Sequence, residues 1–88
     1  MTTVNETHHD THHTVTVPFN RKPIRLEQRA YSGLELKQEA IRQGVDIRLD
    51  YILFELKHNG RREIIADREH VQVNKESAFV ANSGDDNS

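Results

Sequence analysis

Ser32, Gly33, Leu34 and Glu35 spell S-x-x-E directly ahead of a helical apolar pattern, and this stretch constrains the chain more than any other. The Ser32 hydroxyl is placed to accept from the Glu35 backbone N–H, while the Glu35 carboxylate reaches back to the Ser32 N–H. Two donors that a helix start leaves orphaned are thereby satisfied together. Tyr31, just before the cap, is positioned to pack as a staple. Leu34, Ala40 and Ile41, with Leu36 flanking, give an apolar stripe at helical spacing, and Lys37, Gln38, Glu39, Arg42 and Gln43 fall on the wet side. Gly44 supplies a left-handed stop. A helix of about three turns is predicted.

The other apolar runs alternate instead. In TVTVPF, residues 14 to 19, Val15 and Val17 share a face, and PIRLEQ, residues 23 to 28, repeats the pattern through Ile24 and Leu26. Asn20, Arg21 and Lys22 suit a turn between them, so the two runs pair as a hairpin with Pro23 starting an edge strand. After the helix, YILFELK (residues 51 to 57) is the strongest strand candidate. It places Ile52, Phe54 and Leu56 on one face and Tyr51, Leu53 and Glu55 on the other. His58, Asn59 and Gly60 turn the chain into a partner strand over Arg61 to Ile65. Asp67 to His70 reads as a polar turn, with Val71 and Val73 extending it into a short bridge. SAFVA, residues 77 to 81, is the last strand, with Phe79 as its large inward residue.

A hairpin, one helix and further strands make an α+β roll: a mixed sheet of four to five strands packed on one helix, the crossover right-handed. The last strand is expected beside the first, parallel to it, in the sheet centre. That leaves the C-terminus projecting.

The chain has 88 residues, enough for one small domain that buries only about 60% of its unfolded surface. Its polarity is concentrated at the ends. Residues 1–13 are a His/Thr-rich tail with only Val4 as an interior apolar residue, and residues 82–88 have none, so neither repays the entropy of ordering and both are expected to be disordered. The domain is 14–81. All twelve Lys and Arg lie in it, against ten of the fourteen Asp and Glu. So even a balance argues against a dedicated nucleic-acid binder, whose affinity rests on a basic surplus. Arg21, Lys22, Arg25, Arg29, Arg61 and Arg62 leave a local patch open, but Glu27, Glu55 and Glu63 interleave with them. No apolar stretch is long enough to span a bilayer, and no signal peptide opens the chain, so a cytoplasmic protein is expected.

There is no cysteine, which excludes disulfides, thiolate zinc sites and cysteine nucleophiles in this chain. His8 with His12 and His9 with His13 stand one helical turn apart. Nothing apolar would hold that helix, so no metal site is assigned. Asp67, Glu69 and His70 have the residue types of an acid–base group but no accompanying nucleophile or phosphate loop, and enzyme activity is not expected. Tyr51 and Leu53 are either an exposed docking patch or packing residues beneath loops or a self-association surface.

The order of elements is the beta-grasp order, and the sequence resembles the bacterial ubiquitin-like proteins grouped as multiubiquitin-type domains. Tyr31, Ser32, Gly33, Leu34, Glu35 and Leu36 are similar to the family's threonine-glycine-x-glutamate-isoleucine stretch. Asp50, Tyr51, Leu53, Phe54 and Glu55 resemble its "dyeLfe" strand. The resemblance runs from about Val15 to Val80. Where the family often carries tandem copies, this chain has a single unit.

The resemblance implies a modifier encoded beside an activating enzyme, a conjugating enzyme and a JAB-type metalloprotease, in systems linked to defence against phage. It implies a tag joined to a target protein through its own C-terminus. The partner enzyme uses ATP, and the modifier itself needs no cofactor. The family ends on Gly-Gly; this chain has Ser83 and Gly84, then Asp85, Asp86, Asn87 and Ser88. The functional expectation is cleavage between Gly84 and Asp85, exposing the Gly84 carboxylate, with Tyr51, Leu53 and Ser83 as partner-binding residues. The plain alternative is a solvated end. Two other functions stay open: a nonconjugated beta-grasp adaptor that works by surface binding, and a small nucleic-acid-binding protein.

Overall fold

The fold starts from a two-residue turn that only unusual backbone angles allow. In the computed structural model, which describes residues 13–84, Asn20 and Arg21 have φ of 54° and 70°. Both lie in the left-handed region, the signature of a type I′ turn whose twist matches that of the strands it joins. It connects β1 (Thr14–Phe19) to β2 (Lys22–Glu27) in register from Phe19 opposite Lys22 to Thr14 opposite Glu27. Pro18 faces Pro23 in that register. Counting from the tight turn, this is a non-hydrogen-bonded pair, where neither missing N–H is needed between the strands. Arginine is poorly suited to its φ. Arg21→Gly is expected to stabilise the domain by about 0.5–1 kcal/mol, seen as a higher urea midpoint at unchanged slope. The expectations for residues 1–12, the histidine pairs among them, and for the fate of Asp85 to Ser88 lie outside the described residues.

β3 (Ala30–Ser32) leads into α1 (Gly33–Arg42). The capping box forms as expected: Ser32 N–H donates to Glu35 Oε1 at 2.8 Å and Glu35 N–H to Ser32 Oγ at 3.1 Å. The helix start is also covered by the turn at 66–69, because Gly33 N–H donates to Glu69 O (2.9 Å) and Leu34 N–H to Asp67 O (3.2 Å). So close an approach requires glycine at 33. A Cβ there would collide with the Ala66 carbonyl oxygen and lie 3.0 Å from its carbon. At the other end Gly44, with φ of 99°, stops the helix as expected. Gln43 then reaches back to β2, accepting from Arg25 N–H (2.9 Å) and donating to Arg25 O (2.7 Å). A side chain so covers part of an edge that would otherwise be open.

The helix face differs from the one expected. Gly33, Leu36, Lys37 and Ala40 are buried, whereas Leu34 is half-buried and Ile41 exposed. Lys37, assigned to the wet side, is 3% exposed. Its ammonium donates to Leu49 O (2.6 Å) and Tyr51 O (2.8 Å) and pairs with Asp67 Oδ1 (2.8 Å). Three donors meet three acceptors, which is what makes burial of the charge tolerable.

β4 (Ile52–Leu56), β5 (Arg62–Ile65), β6 (His70–Gln72) and β7 (Phe79–Asn82) complete the chain. The main sheet is mixed, in the order β2-β1-β7-β4-β5, and β3 pairs with β6 in a separate two-stranded ribbon. β7 lies parallel to β1 and antiparallel to β4, at the centre, as expected, though it runs to Asn82 rather than stopping at Ala81. The ribbon realises the expected bridge at Val71, opposite Tyr31. Tyr31 is buried, its hydroxyl accepts from Glu27 N–H (2.9 Å), and the Arg29 guanidinium stacks 3.8 Å from its ring centre. Between sheet and helix, Val17, Phe19, Ile24, Leu26, Leu36, Leu53, Val73 and Phe79 form the fully enclosed core. The architecture is an α+β roll with a five-stranded mixed sheet and, among the described residues, one helix.

Candidate functional site

The site is built where the central strand runs out. β1 pairs with β7 at Phe19 and Phe79 and then turns away into its hairpin. Asn20 continues the pairing without being a strand. Its N–H donates to Phe79 O (3.0 Å), its Oδ1 accepts from Ala81 N–H (2.7 Å), and its Nδ2 donates to Ala81 O (3.0 Å). The carboxamide stands in for a peptide group and holds β7 as far as Ala81, one residue short of its end. On the other side Ile52 pairs with Asn82, the final rung with β4.

Beyond that rung Gly84 N–H donates to Asn82 O at 3.1 Å, so the chain bends at Ser83. Gly84 comes to rest against Ile52, in an open groove lined by Arg48, Asp50, Tyr51, Ile52, Ser83 and Gly84. The Lys37 bonds to the Leu49 and Tyr51 carbonyls fix the segment that forms the groove's other wall. Tyr51, Ser83 and Gly84, singled out separately in the sequence, are therefore brought together here.

Leu53 is not among them. Of the two alternatives for it, docking residue or packing residue, burial leaves only packing: it is 1% exposed and lies opposite Ile65 and Ala81, both buried. The partner-binding assignment of Leu53 is corrected accordingly: it is a core residue. On β4 it is the Leu53 face that turns inward, and Ile52, Phe54 and Leu56 point away from the helix. Alternation divides a strand into two faces but does not say which one is inside when both are apolar.

The outward face is the feature that sequence reasoning missed. Ile64, Phe54 and Val80 stand opposite one another across β5, β4 and β7, and Ile52 and Leu56 flank Phe54 on its own strand. Ile64 is 62% exposed, the most of any large apolar residue described. The Arg62 guanidinium sits 5.6 Å from the Phe54 ring centre at one margin. At the opposite corner Ile52 joins this patch to the groove holding Gly84, so tail and apolar face form one continuous surface.

Other candidate groups have structural employment. Asp67 pairs with Lys37, and Glu69 Oε1 accepts from Ala66 N–H at 3.2 Å, closing the turn that covers the helix start. In the basic region Arg29 pairs with Glu27 at 3.1 Å, so one guanidinium that could meet phosphate is already engaged. Among the described residues no three His, Cys, Asp or Glu side chains gather as a metal site requires, and no helix is long and apolar enough to cross a membrane.

The lysines also separate. The Lys37 amine is enclosed and fully occupied. Lys57 lies 3.3 Å from Glu55 and 3.7 Å from Glu63, and the Glu55 hydrogen bond and charge hold its pKa above the ordinary ammonium value. Lys22 and Lys75 are exposed on loops or strand ends. None of the family models, curated proteins or solved structures compared with the chain matches it.

Proposed function

We propose that the chain is a ubiquitin-like modifier with a beta-grasp fold, cut after Gly84 and joined to target proteins through the carboxylate so exposed, in a bacterial pathway of defence against phage. The observation that supports it is the course of β7. A central strand, held by Asn20 as far as Ala81 and by β4 to its final residue Asn82, delivers Ser83 and Gly84 at the rim of the sheet beside an exposed apolar face. The scaffold supplies a position, and partner enzymes supply the chemistry.

That chemistry is balanced as follows. Water, activated by a partner metalloprotease, hydrolyses the Gly84–Asp85 amide. The Gly84 carboxylate attacks the α-phosphate of ATP, releasing pyrophosphate. A partner cysteine thiolate then displaces AMP to form a thioester. An acceptor amine finally attacks the thioester carbonyl, forming an amide and freeing the thiol. A residue without Cβ at the terminus allows close approach to each nucleophile. Once the chain is cut after Gly84, only two residues follow Asn82, a span of at most about 7 Å, so the activating enzyme must come to the sheet itself. The Ile64, Phe54 and Val80 row, continuous with the tail through Ile52, is the surface on which the activating enzyme would rest. Should the modifier be attached to its own copies, Lys37 is excluded as the link by burial.

A second reading is an adaptor that acts through the same apolar row and has no use for its tail. Exposure of Ile64 is the observation that favours it. Mass spectrometry after incubation with the cognate protease and activating enzyme separates the two. Conjugation requires loss of the last four residues and a thioester on the activating enzyme, both abolished by Gly84→Glu in a domain that still folds. An unshortened mass with active enzymes, and partner binding retained after removal of residues 83–88, would establish the adaptor instead.

A further inference from the structure

Ser83 and Gly84 do not project from the end of β7. Gly84 N–H closes a three-residue turn onto Asn82 O (3.1 Å), and the positive-φ residues described do not include Ser83, so this is the inverse form of the γ-turn. The turn lays Gly84 on Ile52. A Cβ built on Gly84 would fall 2.5 Å from Ile52 Cδ1 and 3.1 Å from Cγ1, so the glycine backbone occupies the space beside this side chain that any larger residue would contest. Ile52 is itself 37% exposed and points away from the core, and its pairing with Asn82 is the last rung before the turn. Core packing therefore does not account for its apolar character.

We infer that Ile52 and the Ser83 turn form a latch that stores Gly84 in a folded-back state, and that it must be unlatched before any enzyme can work on this residue. Proteases and adenylating enzymes take a chain terminus extended, with successive residues threaded through a channel, and a γ-turn at the residue before the reacting carbonyl cannot be threaded. The latched state protects the Gly84–Asp85 bond, and the open state is the substrate. The latch consists of one exposed backbone hydrogen bond and one side-chain contact, so it is weak and reversible. It works as a filter: a partner that docks on the outer face and engages Ile52 competes directly with Gly84 for the same side chain, and so opens the tail as it binds.

The functional consequence rests on the reading of Gly84 as the reacting terminus, whereas the latch itself does not. It is tested without cognate enzymes, with an endoproteinase that cuts on the amino side of aspartate. When opening and closing are fast, cleavage tracks the population of the open form. Ile52→Ala in the full chain is expected to raise the initial rate of cutting at Gly84–Asp85 by about three- to tenfold, the range that loss of one weak contact commands. Product masses distinguish this cut from that at Asp85–Asp86, and the amide spectrum of the variant reports that the domain is intact. In the unmodified chain, nuclear Overhauser contacts are expected between the Gly84 α-protons and the Ile52 δ-methyl. Absence of those contacts together with equal cutting rates overturns the latch. Contacts in the unmodified chain and faster cutting in Ile52→Ala, with no thioester formed between the activating enzyme and the unmodified chain, establish the latch and refute the modifier reading.

Discussion

Asn20→Ala is expected to destabilise the domain by about 3 kcal/mol, lowering the thermal midpoint by roughly 12–24 °C. The side chain holds both polar groups of the Ala81 peptide unit, at 2.7 and 3.0 Å, from a position where the backbone of β1 has already left the sheet. Alanine removes both bonds and leaves a partly buried N–H and C=O without those partners. It also places a Cβ-bearing residue with no side-chain compensation at φ of 54°, which asparagine tolerates better. Asn20→Gly separates the two causes, because glycine accepts the backbone angle and loses only the hydrogen bonds. Its cost should be about 1 kcal/mol smaller. Equal unfolding midpoints for all three proteins in urea would show that the carboxamide does not support β7. Because Ala81 precedes the final rung of the sheet, Asn20→Ala should also broaden the amide resonances of residues 81–84 before the domain melts.

The second large effect is at Lys37. Lys37→Met retains the aliphatic stem but withdraws the ammonium from Leu49 O, Tyr51 O and Asp67. Asp67 is half-exposed and regains water readily. The two carbonyls depend on this amine for the bonds that tie the 45–51 segment to the helix, and the expected loss is about 2–3 kcal/mol. Chemical-shift changes should concentrate between Val45 and Ile52 and at Ser83 and Gly84, which share the groove with Tyr51. A stability within 0.5 kcal/mol of the parent would mean that the buried amine only fills space. Through this residue a core interaction sets the shape of the groove, although no part of Lys37 lines it.

Much of the scaffold was legible in the residues. The S-x-x-E box, the Gly44 stop and the alternation of Val15, Val17, Ile24 and Leu26 are local signals, because caps and short-range periodicity depend on neighbours within a few positions. The central, parallel placement of β7 followed from packing one helix against a sheet with a right-handed crossover. The phase of β4 was not legible. Ile52, Phe54 and Leu56 make a more apolar face than Tyr51, Leu53 and Glu55, and only the register with Phe79, Ala81 and Ile65 decides that Leu53 turns inward. Lys37 was misplaced for a related reason. Its charge reads as solvent-exposed until three acceptors from two distant segments converge on it.

The candidate site divides in the same way. Gly84 was visible as the one glycine in a polar ending, and Tyr51 as the aromatic residue that opens the YILFELK run. Their meeting in one groove, and the joining of that groove to the Ile64, Phe54 and Val80 row, needed the sheet order β1-β7-β4-β5.

The sequence by itself determined where the helix begins and ends, which segments extend, and that a polar tail follows the last strand, since each depends on interactions between near neighbours. The tertiary structure decided which apolar face is hidden, why a lysine is buried, and that Gly84 folds back on Ile52. Those outcomes depend on groups separated by twelve to sixty-one positions along the chain, brought together by strand register and by the requirement that every buried polar group find a partner.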